Sequence, residues 1–133
     1  MLNPIEHSKT KELANKYTVE PYVVAADVYG AGNLIGKGGW TWYTGSSSWM
    51  YIAGIKYILG INISGDELKI EPHIPNDWKE YMVRLNYEKS LYNIKIKKSE
   101  KDEKEIRING EIINTDTIKM NKDGGVYNIE VEI

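Results

Sequence analysis

GGWTWYTGSSSWMY, residues Gly38 to Tyr51, sets three tryptophans and two tyrosines among glycines and small hydroxyl residues. A plain core has no use for the glycines, and a plain loop has none for the tryptophans. A sugar pocket with an anion site beside it uses both. The stretch also decides how the chain folds up to Gly60. A helix is expected to begin near Thr44 to Ser46 and to end before Gly60, a natural C-terminal stop. It is apolar nearly all round, through Trp49, Met50, Tyr51, Ile52, Ala53, Ile55, Tyr57, Ile58 and Leu59. Such a helix is expected to be buried on most of its sides, yet the chain up to Gly60 holds too few other helices to bury it.

On the N-terminal side the same grammar of helices and loops continues. Ser8 to Tyr17 (SKTKELANKY) predicts a short polar helix with Ser8 as its N-cap. Glu20 to Tyr29 (EPYVVAADVY) predicts a helix with Pro21 in its first turn. Its Val-Val-Ala-Ala core also suits a strand. Gly30 to Gly39 carries five glycines and predicts a loop.

Beyond Gly60 the chain becomes strongly charged and alternating. Period-two patterning marks Val83 to Tyr87, Tyr92 to Lys97 and Val126 to Ile133 as half-buried strands. Ile106 to Ile113 (IRINGEII) places Asn-Gly between apolar residues, a tight-hairpin signal. Ser99 to Lys104 and Asn121 to Gly125 predict turns. Helices followed by hairpin-linked strands imply an α+β chain whose second half is an antiparallel sheet or sandwich.

Composition removes several functions. The 133 residues suffice for one ordinary domain or two small units. A net charge of −2 argues against a nucleic-acid binder. The absence of cysteine removes disulfides and thiolate chemistry and fits a reducing compartment. No run reaches the roughly 18 apolar residues that a membrane span requires, and MLNPIEHSKTKE is not a signal peptide, so a cytoplasmic location without membrane contact is expected. His7 and His73 share no metal spacing, so no metal site is expected. His73 reads as structural, at the seam between the halves. Phosphate-loop, nucleophile-elbow and dinucleotide motifs are absent.

Two constellations remain. Thr44-Gly45-Ser46-Ser47-Ser48 stands at a helix start, where backbone N–H groups and the positive dipole end favour an anion such as phosphate. The same residues also read as an ordinary helix cap. Glu20 and Asp27 lie two helical turns apart and share a face if their segment is helical, which suits acid–base work or a grip on sugar hydroxyls. Trp40, Trp42 and Trp49 read either as sugar-stacking platforms or as core.

The run YTVEPYVVAADVYGAG, then GKGGWTWYTGSSSWMYIAGIKYILGI and LKIEPHIPNDW, resembles the C-terminal part of glycoside hydrolase family 94. That family holds inverting β-glycoside phosphorylases, among them cellobiose, chitobiose and β-1,2-oligoglucan phosphorylases, and cyclic β-1,2-glucan synthases. LNPIEHS is most similar to its glucan-synthase and β-1,2-oligoglucan phosphorylase branch. The resemblance implies that residues 1–62 are the last helices and loops of an (α/α)6 catalytic barrel and that 63–133 form a small antiparallel C-terminal β-sandwich. It implies that inorganic phosphate, the co-substrate, attacks the anomeric carbon of a β-linked glucose oligosaccharide with inversion, while an aspartic acid protonates the leaving oxygen. In the motif WYTGS it assigns Thr44 and Gly45 to phosphate. In EPY it places Glu20 and Tyr22 beside the sugar; of the three tryptophans, Trp42 is taken as the further candidate sugar contact. The general acid is expected upstream of residue 1, so no catalytic residue is assigned within the chain. Related sequences often carry a histidine where Asn33-Leu34-Ile35 stand here, which leaves room for transfer without phosphate. The apolar helix is expected to seek a partner, either the missing barrel portion or a second copy. The rival expectation is a carbohydrate-binding or structural remnant without catalysis.

Overall fold

The computed structural model describes residues 3–20, 22–41, 45–100 and 103–133. The chain divides into two compact units, Met1–Ala53 and Gly54–Ile133. The first contains helices α1 (Pro4–Ser8), α2 (Lys11–Tyr17) and α3 (Gly45–Ile52), with a 3-10 turn at Gly32–Leu34. A π-helical turn, Ala53–Ile58, comes directly after α3 in the chain. No helix among the described residues is long and apolar enough to cross a membrane.

The helix expected over Ser8 to Tyr17 forms as α2 but starts at Lys11, and a separate helix, α1, precedes it. Asn3 caps α1 by accepting from the Ile5 amide at 3.1 Å, and Pro4 sits in the first turn, where its missing N–H costs nothing. Thr10, in extended conformation, breaks the run and caps α2 through the Leu13 amide at 3.2 Å. Ser8 is therefore not the cap. Its hydroxyl donates back to the Pro4 carbonyl at 2.9 Å.

The helix expected over Glu20 to Tyr29 does not form. The Ala26 and Tyr29 amides donate to the carbonyls of Trp40 and Lys37, and Ala25 and Val28 pair with Thr41 and Gly38 as isolated antiparallel bridges. Once these donors serve distant partners, no helical ladder remains to be made. Pro21, expected in the first turn, lies outside the described residues.

The helix before Gly60 forms as expected, but its burial does not. Trp49 and Tyr51 on α3 are 73% and 70% exposed. In the second unit the helical segment ends on Gly60, whose φ of +70° suits a glycine stop. Its end is held by the strands. The Tyr81 hydroxyl donates to the Leu59 carbonyl at 2.8 Å, and the His73 amide donates to the Ile58 carbonyl at 2.9 Å. Burial pushes the Tyr81 hydroxyl up to about 12, so it stays a donor well into the alkaline range.

The rest of this unit is β structure. Strands β1 (Ile61–Ser64), β2 (Glu67–Ile70) and β7 (Thr117–Lys119) form a three-stranded sheet in the order β1-β2-β7. Strands β3 (Glu80–Tyr87), β4 (Ser90–Lys97), β5 (Glu105–Ile108), β6 (Glu111–Ile113) and β8 (Val126–Glu132) form a five-stranded sheet in the order β3-β4-β8-β5-β6. The alternation predicts which faces turn inward. Tyr92, Ile94 and Ile96 of β4 join Ile129 and Val131 of β8 and meet Leu68 and Ile70 of β2 and Ile118 of β7 in one core. Each such side chain contributes about 1.5–3 kcal/mol by leaving water. The Asn109-Gly110 turn has both residues at positive φ, as a primed hairpin turn demands.

The sheets depart from the expectation at one pairing. Strands β4 and β8 run parallel, with Ile94 opposite Ile129 and Ile96 opposite Val131. The connection between them passes through β5, β6 and β7, so it is long enough for the crossover that a parallel pair needs.

Candidate functional site

The first unit is organised by Tyr17, the last residue of α2, which is fully buried. Its hydroxyl accepts from the Ala25 amide at 3.2 Å and donates to the Val23 carbonyl at 3.4 Å. The His7 ring stacks on it with centroids 4.3 Å apart. Its own carbonyl accepts from the Gly38 amide at 2.8 Å. Through its ring, its hydroxyl and its main-chain carbonyl, Tyr17 thus ties α1, α2, the segment after Glu20 and the glycine loop together.

The glycines of the GKGGW stretch have a local cause. A Cβ on Gly39 would lie 2.0 Å from Asp27 Oδ1, and one on Gly38 would lie 2.8 Å from a Val19 methyl. A side chain at either position would have to displace Asp27 or Val19, so the bare glycines let the two loop segments close on each other with those side chains in place. Asp27 Oδ1 accepts from the Trp40 amide at 3.3 Å, and the Asp27 carbonyl accepts from the Gly39 amide at 3.0 Å. Asp27 therefore braces the approach to the WTWYTGS motif. The shared helix face expected for Glu20 and Asp27 does not exist, because the segment is not helical.

Glu20 is half-buried, and its carbonyl accepts from the Val23 amide at 3.1 Å. Tyr22 is 76% exposed and Trp40 is 75% exposed. The bridge from Ala25 to Thr41 sets the segment after Tyr22 beside the one that leads into Trp42. Trp42 and Thr44 lie outside the described residues, and Gly45 is the first residue of α3. The unit thus carries exposed aromatic rings and a helix that opens at Gly45. Rings offer stacking faces for sugars, and helix starts offer backbone donors for anions. Among the described residues, no group of three His, Cys, Asp or Glu side chains is placed to hold a metal ion. Sequence reasoning misses the bracing roles of Tyr17 and Asp27. The only sequence signal for them is the adjacent Gly38-Gly39 pair, which marks a close backbone approach without naming its partner.

Comparison with known proteins agrees with these motifs. The sequence model of the glycosyl hydrolase 94 superfamily catalytic domain matches residues 1–60, and that of the glycosyl hydrolase family 65 C-terminal domain matches residues 61–114. The cyclic beta-(1,2)-glucan synthase NdvB of Rhizobium meliloti is 48% identical over 101 residues, 76% of this chain and 4% of that protein. Solabiose phosphorylase of Paenibacillus borealis is 29% identical over 135 residues, 98% of this chain and 16% of that protein. N,N'-diacetylchitobiose phosphorylase of Vibrio proteolyticus is 30% identical over 113 residues, 82% of this chain and 14% of that protein. The chain thus spans a small fraction of each of these relatives. With the EPY and WYTGS motifs inside the matched 60 residues, the chain belongs to the glycosyl hydrolase 94 superfamily of phosphorylases and glucan synthases and corresponds to a C-terminal part of its members.

Proposed function

We propose that this chain is the C-terminal piece of an inverting β-glucoside phosphorylase or glucan synthase. In this reading it supplies phosphate and sugar contacts, and the general acid comes from the helical domain outside residues 1–133. Thr44 and Gly45 take the phosphate. Glu20, Tyr22 and Trp42 take the sugar. Phosphate oxygen forms a bond to the anomeric carbon as the glycosidic C–O bond breaks, and the outside acid protonates the leaving oxygen. Residues 1–62 are then the last helices of the (α/α)6 barrel and 63–133 its β-sandwich. The observation that carries this reading is the catalytic-domain match over residues 1–60, which contains both motifs. The α3 start at Gly45 supports it, because a helix N-terminus suits an anion. The exposed Tyr22 and Trp40 support the sugar side.

The test uses the native polypeptide that carries this sequence. It is supplied with a β-linked glucose oligosaccharide and inorganic phosphate, and glucose 1-phosphate is measured, together with the reverse reaction. The Thr44→Val variant is expected to lose roughly 100-fold in kcat/KM for phosphate, the scale for losing one oriented donor at developing charge. Turnover unaffected by this substitution would remove Thr44 from the phosphate site. No reaction in either direction, with sugar binding retained, would favour a carbohydrate-binding module without chemistry.

A further inference from the structure

A second aromatic feature lies in the β unit, at the end of the LKIEPHIPNDW stretch. Trp78, in the turn before β3, stays 40% exposed although strands surround it in sequence. Its ring meets Tyr81 edge-to-face, with centroids 6.0 Å apart and planes 61° apart. A shallow cleft of about 490 Å³ opens over this pair, bounded by Asp77, Trp78, Lys79, Glu80 and Tyr81.

The turn is held rigidly. The Trp78 amide donates to the Pro75 carbonyl at 3.2 Å, and Lys98 Nζ donates to the same carbonyl at 3.0 Å. The Lys98 amide donates to the Lys79 carbonyl at 2.9 Å. Tyr81 is fixed from below through its bond to the Leu59 carbonyl. Glu80 is steadied by Lys95 at 3.2 Å. An open indole on a pinned turn, flanked by two carboxylates and an ammonium, offers a stacking face together with hydroxyl-bonding groups of both kinds. An apolar ligand would gain nothing from the charged rim. A neutral, polyhydroxylated ring satisfies both the face and the rim.

We propose that Trp78 is the platform of a carbohydrate-binding cleft on the β unit that takes a glucose unit of a β-linked oligosaccharide. The choice of glucose rests on the proposed function. The chemistry of a neutral sugar ring rests on the cleft itself.

The chain labelled with 5-fluorotryptophan gives one fluorine resonance for each of its four tryptophans. The resonance of Trp78 is assigned by its loss in Trp78→Phe. A β-1,2-linked glucose tetrasaccharide is then titrated in, with sorbitol as the control polyol. The expected result is a saturable shift of the Trp78 resonance that sorbitol does not produce. In Asp77→Asn/Glu80→Gln, which keeps the ring and changes the rim, the half-saturation point should rise roughly tenfold, the weight of one or two lost hydrogen bonds. A Trp78 resonance that does not move overturns the proposal, and it does so even when Trp40, Trp42 or Trp49 shifts. That second pattern would leave the proposed function standing. A shift that sorbitol reproduces also overturns it. A saturable Trp78 shift in a chain whose native polypeptide shows no phosphorolysis would keep the cleft and discard the enzyme.

Discussion

Gly60 is where the helical segment hands over to the β-sandwich, and replacing it with alanine tests the account of that junction. The residue has a φ of +70°, and an added Cβ would lie 2.2 Å from the Glu71 carbonyl carbon and the Pro72 nitrogen. The substitution carries two costs. An alanine at positive φ loses roughly 1–2 kcal/mol. The contact with main-chain atoms cannot be relieved by a rotamer change, and forcing a packed site apart costs a further ~1–3 kcal/mol. Together these come to about 2–5 kcal/mol. Gly65, in the β1–β2 turn, supplies the control. Its φ is +62°, but nothing lies within 4 Å of its missing Cβ, so Gly65→Ala should incur only the first cost. Urea unfolding monitored by the near-ultraviolet circular dichroism of the stacked Tyr92–Tyr127 pair reports on this unit. With a slope of roughly 1–1.5 kcal/mol per molar urea for a small unit, Gly60→Ala should lower the midpoint by about 1.3–5 M and Gly65→Ala by about 0.7–2 M. Equal midpoints for the two variants would refute the steric argument. They would mean that Glu71 and Pro72 yield freely or that the junction is looser than its hydrogen bonds imply.

Two further outcomes can be checked. The Asp123 carboxyl is held below its ordinary value of 3.8, first by the Tyr127 hydroxyl at 2.7 Å and then by the Gly125 amide at 2.8 Å. A carboxyl lowered by folding contributes stability above its unfolded pKa and loses it as pH falls through the folded value. The stability difference between the native chain and Asp123→Asn should therefore be steady at neutral pH and shrink below about pH 4. A difference that stays constant down to pH 2 would show that the carboxylate charge plays no part. The exposed Trp49, Met50 and Tyr51 of α3 should drive self-association of the isolated chain. Sedimentation velocity should show assembly that Trp49→Gln/Tyr51→Gln abolishes, and a strictly monomeric native chain at high concentration would sink that expectation.

The long strands are legible in the sequence because burial on one face leaves a period-two trace that any neighbour must respect, as β4 and β8 do in full. The Asn109-Gly110 turn is legible because few residues tolerate two successive positive φ angles. Strands β1 and β2 and the three-residue β7 escape such a reading, because segments of three or four residues carry too few alternations to stand out. The two-helix start is hidden because Ser8 and Thr10 are equally good caps by composition, and only the backbone conformation at Thr10 separates them. The motifs that place the chain in its superfamily are fully legible, since they are local strings of residues.

By itself, then, the amino-acid sequence determined the α+β order, the faces of the long strands, the helix that stops at Gly60 and the superfamily. These rest on local periodicity, turn chemistry and motif identity, which act over a few residues. Tertiary structure alone decided three other matters: that Glu20 to Tyr29 is not a helix, that β4 and β8 run parallel, and that Gly39 is bare for Asp27. Each depends on a partner distant in sequence. The Trp40 and Lys37 carbonyls claim the amides that a helix would have used, the crossover sets the strand direction, and a carboxylate occupies the space where a Cβ would stand.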